Sequence, residues 1–105
     1  MKTEYDLSGG GSVCVLKPFG NEVYAAVTEM SGRYPEPGKI AKNNGRDEII
    51  YVIEGEFSIT RDGQTQTIAK GQTLEIPNNC EYVIEGTGRS LVIVKDQAGG
   101  KTEIV

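Results

Sequence analysis

Short runs of alternating hydrophobic and polar residues fill nearly the whole chain, and turn residues separate them. The alternation has the two-residue period of a β-strand, and no stretch holds the 3.6-residue period of a helix. The pattern therefore predicts an all-β domain. The predicted strands are Val13–Phe19, Glu22–Met30, Lys39–Asn43, Glu48–Ile53, Glu56–Arg61, Thr65–Ala69, Thr73–Ile76, Glu81–Glu85 and Ser90–Lys95, with Thr102–Val105 as a short edge strand.

Glycine and proline mark the predicted connections. Asp62-Gly63 separates two alternating runs by two residues that tolerate positive φ, which predicts a tight β-hairpin. Ser31–Gly38 contains two prolines, which cannot donate to a strand ladder, and predicts an irregular connection. The small polar segments Ser8–Gly11 and Gln97–Lys101 predict flexible ends.

Two predicted strands are apolar on both alternating faces. Glu48–Ile53 and Ser90–Lys95 carry hydrophobic side chains at odd and even positions alike. Only one face of each sheet can look into a two-sheet core, so the other face needs a cover. We expect a homodimer that buries this face, and the alternative cover is the chain's own segment Val13–Leu16.

Length, composition and charge narrow the classes of protein. A chain of 105 residues suits one domain over 1–105, and 37% hydrophobic residues are enough for a core. The net charge of −4 offers no basic surface for nucleic acid. No apolar run is long enough to span a membrane or form a signal peptide, so we expect a cytoplasmic protein with no membrane or nucleic-acid partner.

Two segments resemble the paired sequence motifs of the cupin family. Glu48 precedes Gly55 by six intervening residues, which matches the second half of the first motif. Gly71 and Pro77 match the start of the second motif, and the Asp62-Gly63 hairpin lies between the two segments. The resemblance covers about residues 23–95 and implies a double-stranded β-helix, the cupin jelly-roll barrel, whose interior holds the site.

The histidine ligands of these motifs are missing. The first pair falls on Lys42 and Asn44, or on Ala41 and Asn43 with the longer motif spacing, and the third falls on Tyr82. The chain contains no histidine at all. Iron and zinc favour imidazole and thiolate ligands, so we expect no metal and no cofactor.

The residues near the motif positions could still hold a ligand by hydrogen bonds. Glu48 and Tyr82 are the candidates for acid–base catalysis, because a desolvated carboxyl and a phenol can exchange protons with a substrate. The candidate ligand-binding residues are Asn43, Asn44, Arg33, Tyr34 and Arg46. Tyrosine, asparagine and glutamate at such positions resemble a histidine-poor subgroup of small bacterial cupins.

Three functions remain open at this point. The first is metal-free binding of a small polar molecule, such as a sugar or a carboxylic acid, inside the barrel. The second is a metal-independent isomerase, epimerase or cyclase that uses Glu48 and Tyr82. The third is a structural or partner-binding domain with a filled barrel. Structural roles are alternatives for several of these residues. Glu48 could cap or neutralise a strand end, Tyr82 could fill the core, and Arg33 and Arg46 could be solvated surface residues.

Overall fold

The fold is all-β, as predicted. A computed structural model describes the backbone of residues 4–6, 13–15, 17–20 and 22–105, and the side chains from residue 22 onward. No helix in this described part of the chain could cross a membrane. The strands are β1 Glu4–Asp6, β2 Val13–Val15, β3 Lys17–Gly20, β4 Val23–Tyr34, β5 Ala41–Arg61, β6 Gln64–Ala69, β7 Thr73–Ile76 and β8 Glu81–Ile104.

Six of the strands form one sheet that curls into a jelly-roll barrel. Their order is β3-β4-β8-β5-β6, with β7 also paired to β5, while β1 and β2 form a separate pair. Along β5 from Asp47 to Arg61, the partner in β8 runs back from Lys95 to Tyr82. Ala41, at the start of β5, pairs with both Tyr82 and Ile104 of β8, so the two ends of β8 meet there.

The two longest strands bend at glycines instead of ending there. The sequence predicts three separate strands within β5, but the strand continues through Gly45 and Gly55, whose φ angles are 71° and 86°. Glycine adopts such angles without a steric penalty, so a strand can bend at it and keep its hydrogen bonds. At Gly55 a side chain would also collide with the backbone of Thr87 and Gly88 in β8.

Two predicted irregular segments are also partly strand. β4 extends through Arg33 and Tyr34, because these residues pair with Glu85 and Ile84 of β8. The predicted flexible segment Gln97–Lys101 lies within β8, whose end pairs with the start of β5. Tertiary pairing therefore orders residues whose composition is typical of loops. The segment Ser8–Gly11 lies outside the described residues.

The Asp62-Gly63 hairpin is confirmed. Asp62 and Gly63 have φ angles of 46° and 82°, and they join β5 to β6 with Arg61 opposite Gln64. Positive φ at both central residues gives the turn that matches the right-handed twist of paired strands.

Alternating side chains of the long strands fill the barrel. On β5, Arg46, Glu48, Ile50 and Val52 all point inward and are buried. The core combines them with apolar residues of the neighbouring strands, among them Phe57, Ile59, Ile68, Leu74, Ile76, Val92 and Val94. The inward face of β5 thus carries two charged residues, Arg46 and Glu48, directly before the apolar Ile50 and Val52.

The outer face of the central strands carries exposed hydrophobic side chains. Val27 is 53% exposed, Ile49 44%, Tyr51 41% and Ile93 39%. Ile49 lies directly opposite Ile93, and Val27 and Tyr51 both lie opposite Leu91, so the apolar surface runs across β4, β8 and β5. The residues of Val13–Leu16, the alternative cover, lie outside those with described side chains, and homodimer formation stays a prediction.

We expect Ile93→Lys to abolish self-association, because it places a charge at the centre of this apolar surface. The molar mass of the wild-type chain, measured by light scattering after size-exclusion chromatography, should be that of a dimer, and that of the variant should be halved. Gln64→Lys adds the same charge at the distant hairpin and should leave the dimer intact. A wild-type chain that is monomeric at high concentration would contradict the prediction.

Candidate functional site

The barrel contains a cavity with one carboxyl group in its wall. Five polar side chains line it, contributed by Thr28, Tyr34, Glu48, Tyr82 and Ser90. Thr28 and Ser90 are direct cross-strand neighbours, and their hydroxyl oxygens lie 2.9 Å apart in a hydrogen bond. The rings of Tyr34 and Tyr82 lie with centroids 6.3 Å apart and planes tilted by 39°.

The rest of the cavity wall is apolar. It is formed by Met30, Ile50, Phe57, Ile59, Ile84 and Val92. The cavity leaves about 40 Å³ for the centres of water-sized molecules. One water needs roughly 10–15 Å³ of such volume, so the space corresponds to about three waters. The cavity therefore suits a compact ligand.

The alternation of side chains along β5 places Glu48 inside the barrel. It lies on the inward face of β5 between Arg46 and Ile50, with Val94 of β8 and Ile76 of β7 on either side. Only 7% of the residue is exposed. Two hydrogen bonds hold the carboxyl group, since the Asn43 amide Nδ2 donates to Oε1 at 3.2 Å and Tyr82 forms a second side-chain bond.

Burial raises the pKa of the Glu48 carboxyl above its ordinary value of 4.5, because removal from water disfavours the charged form. The hydrogen bond from Asn43, the charge of Arg46 and the bond with Tyr82 each act in the opposite direction. The negative charge of Asp96 adds to the increase. Desolvation prevails over the three groups that favour ionisation, so Glu48 can accept or release a proton above the usual range of a carboxyl.

A chain of hydrogen bonds connects Glu48 to a buried ion pair. Asn43 donates its amide both to Glu48 and to the carbonyl of Ile76, and its Oδ1 accepts a 2.8 Å bond from the Thr102 hydroxyl. Thr102 in turn accepts a bond from Nη1 of Arg46 at 3.1 Å. Both ends of the Asn43 amide are thus committed, which fixes the orientation of the group that holds Glu48.

Arg46 and Asp96 form the buried ion pair at the end of this chain. They are direct neighbours across β5 and β8, and Nε and Nη2 of Arg46 donate to the two carboxylate oxygens at 2.7 and 3.0 Å. The two side chains are 4% and 0% exposed. This two-point geometry suits the planar guanidinium and neutralises both charges within the protein.

Five of the predicted site residues lie in the cavity wall or directly behind it. Glu48, Tyr82 and Tyr34 line the cavity together. Asn43 lies behind Glu48 and holds it, and the guanidinium of Arg46 is bound to Asp96 and Thr102.

The other two predicted residues lie away from the cavity. Arg33 donates to the carbonyls of Pro35, Glu36 and Lys39 and so braces the turn after β4. Asn44 is exposed and donates to the Glu103 carboxylate at 3.0 Å. Neither appears in the wall of the cavity.

Comparison of the sequence with known families shows the family to which the chain belongs. The profile of the cupin domain family matches residues 35–94, which is more than half of the chain. This chain belongs to the cupin domain family. The match covers both motif-like segments, and the resemblance read from the sequence is confirmed. A search of curated proteins found no match.

Solved structures, among them two cupin domains, share the fold at low sequence identity. The cupin domain of a Schizosaccharomyces pombe protein has a TM-score of 0.71 at 15% identity, over 87% of this chain and 71% of that one. A cupin-2 domain protein of Shewanella frigidimarina has a TM-score of 0.63 at 17% identity, over 80% and 79%. The chain also covers 30% of the salicylate 1,2-dioxygenase of Pseudoaminobacter salicylatoxidans, with 90% of its own length, 13% identity and a TM-score of 0.72.

The side chains of this cupin do not fit the metal that its family motifs imply. Among residues with described side chains, no group of three histidine, cysteine, aspartate or glutamate residues could hold a metal ion. Glu48 is the one carboxylate in the described wall, and the Asn43 amide beside it is used at both ends. Transition metals require several imidazole or thiolate donors, and hard cations require several oxygens. No chemical step is therefore assigned to a metal.

Four residues of this site were not predicted from the sequence. Thr28 and Ser90 supply hydroxyls to the cavity, and Asp96 and Thr102 complete the polar chain behind Glu48. Strand alternation could have identified Asp96. It follows Val92 and Val94 at two-residue spacing, so its side chain lies on the same inward face of β8 and meets the inward face of β5. The position of Thr102 depends on the bend in β8, which alternation alone does not predict.

Proposed function

We propose that this cupin binds a small polar molecule in the barrel cavity. The observation that carries the proposal is the buried Glu48 carboxyl, hydrogen-bonded by Asn43 and Tyr82 in the wall of a cavity inside the barrel. A buried titratable group in a concave, mostly apolar site is a typical mark of a ligand site. The small free volume limits the ligand to a few non-hydrogen atoms unless the side chains move.

The first test is a panel of small probes followed by methyl NMR. Ile50, Ile59, Ile84 and Val92 place methyl groups in the cavity wall and would report a bound molecule by their chemical shifts. Glycerol, acetate, urea and tetramethylammonium cover neutral, anionic and cationic chemistry. Saturable shifts at these methyls with at least one probe support binding. If none of the probes shifts these methyl signals, the result would favour a structural or partner-binding domain with a filled barrel.

The second candidate function is metal-independent acid–base catalysis. The observation that favours it is the direct hydrogen bond between Glu48 and Tyr82 together with the raised pKa of the carboxyl. A base of this kind could remove a proton from a carbon next to a carbonyl, as an isomerase or epimerase requires.

Deuterium incorporation separates this candidate from simple binding. The cupin would be incubated in D₂O with small hydroxy-carbonyl compounds, and exchange at the carbon would be followed by NMR. An acid–base enzyme should exchange the proton, Glu48→Gln should lose the exchange, and Tyr82→Phe should lose turnover with little change in binding. Equal slow exchange by the wild-type chain and both variants would leave binding as the function.

A further inference from the structure

The charges around the cavity indicate which ligands it favours. Glu48 is the one carboxyl group in the described wall, and no lysine or arginine of the described chain lines the cavity. Arg46 lies nearby and favours the ionised carboxylate, but its guanidinium is bound at two points by Asp96, whose negative charge offsets part of that effect on Glu48. When Glu48 ionises, the buried side chains of Arg46, Asp96 and Glu48 together therefore carry one net negative charge. An anionic ligand would add to it, and a cation would neutralise it.

Aromatic rings supply the second feature. Tyr34, Phe57 and Tyr82 all contribute to the wall that also contains Glu48. The negative face of an aromatic ring attracts a cation within about 6 Å of its centroid, and the attraction is stronger where water is excluded. A buried carboxylate among aromatic rings is thus suited to an organic cation.

The hydroxyl groups make a sugar-like ligand less suitable. Thr28 and Ser90 bond to each other, and the Tyr82 side chain bonds to Glu48. A ligand with several hydroxyls would bury several polar groups, and each one left without a partner weakens binding. The walls formed by Ile50, Ile84 and Val92 instead suit methyl groups, which need no hydrogen bonds.

We propose that the preferred ligand is a compact organic cation, an amine or a methylated ammonium, with Glu48 as its counter-ion and the rings of Tyr34, Phe57 and Tyr82 around it. This inference rests on the proposed function of the cavity and narrows its ligand class. A bound cation also favours the ionised carboxylate, so binding should release a proton wherever Glu48 is protonated in the free protein.

The test compares three probes of similar compactness by methyl NMR. Tetramethylammonium chloride is the cation, tert-butanol is a neutral molecule of nearly the same shape, and sodium acetate is the anion. Sodium chloride at matched concentrations controls for ionic strength. We expect saturable shifts of the Ile50, Ile84 and Val92 methyls with tetramethylammonium, at a Kd at least about tenfold lower than with either other probe. The affinity should rise with pH by up to about tenfold per unit until Glu48 is ionised.

Variants test the two recognition elements separately. Glu48→Gln should weaken tetramethylammonium binding at high pH by about tenfold or more and remove its pH dependence. Glu54→Gln removes a carboxyl from an exposed position of the same strand and should leave the binding unchanged. Tyr82→Phe keeps the ring and should bind within about threefold of the wild type, whereas Tyr82→Leu should lose most of the affinity. The NMR fingerprint of each variant shows whether the barrel is intact.

The outcomes distinguish this inference from the proposed function. If tert-butanol or acetate shifts the cavity methyls and tetramethylammonium does not, the cavity is a ligand site and the cation inference is wrong. If tetramethylammonium binds equally well to Glu48→Gln, the assignment of Glu48 as counter-ion is wrong. If no probe of any charge shifts these methyls, both the inference and the proposed function are overturned.

Discussion

Replacing Arg46 by alanine should lower the free energy of unfolding by about 3–5 kcal/mol, because the change leaves the buried charge of Asp96 without its partner. The pair is almost completely removed from solvent and its carboxylate receives two guanidinium hydrogen bonds. The substitution also takes away the donor to Thr102, which holds Asn43. Urea unfolding followed by circular dichroism would measure the loss, provided that the slope with denaturant is unchanged.

An exposed ion pair on the same barrel provides the control. Arg89 and Glu29 lie 3.4 Å apart with side chains 45% and 68% exposed. Solvent screens such a pair, so Arg89→Ala should cost at most about 1 kcal/mol. An apolar double substitution, Arg46→Met with Asp96→Leu, should recover much of the stability, because no unpaired charge remains. A loss below about 1 kcal/mol in Arg46→Ala would contradict the importance of the buried pair.

The sequence predicted the all-β class through local signals and the jelly-roll barrel through the resemblance to the cupin motifs. Alternation gave the strand positions, and Asp62-Gly63 gave the hairpin, since both depend on residues close together in the chain. The continuity of β5 and β8 was not predicted, because a glycine in the sequence can mark either the end of a strand or a bend within it. Gly55 fits a bend only where Gly88 of the facing strand leaves room for the backbone, and that contact joins distant parts of the chain.

The candidate site was predictable to the level of position but not of contact. Motif spacing brought attention to Glu48 and Tyr82, which the structure places in one cavity. The same spacing could not show that Asn43 would hold Glu48 from behind, or that Asp96 would occupy the guanidinium of Arg46. Those outcomes depend on which inward positions of β5 and β8 face each other, and a register shift of one residue would reverse them.

The free energy of unfolding of the Glu48→Gln variant should increase relative to that of the wild-type chain as the pH rises. Because the pKa of Glu48 is raised in the folded state, that state holds its proton more tightly than the unfolded chain does. The wild-type chain therefore loses stability as the pH increases from the ordinary value of 4.5 toward the folded pKa, and it does not regain it above. The variant has no charge to bury. Its stability minus that of the wild type should grow by up to about 1.4 kcal/mol per pH unit within this window.

Urea unfolding of both chains from about pH 4 to about pH 9 would measure this difference, in which contributions from carboxyls common to both chains largely cancel. Glu54→Gln measures any slope that comes only from removing a surface carboxyl, and that slope is subtracted. A difference that stays flat across the range, or grows toward low pH, would contradict a raised pKa. A rising difference means that ionising Glu48 lowers the free energy of unfolding of the wild-type chain. A ligand that stabilises the charged carboxylate would then reduce that cost, and its binding would strengthen over the same pH window in which the free protein weakens.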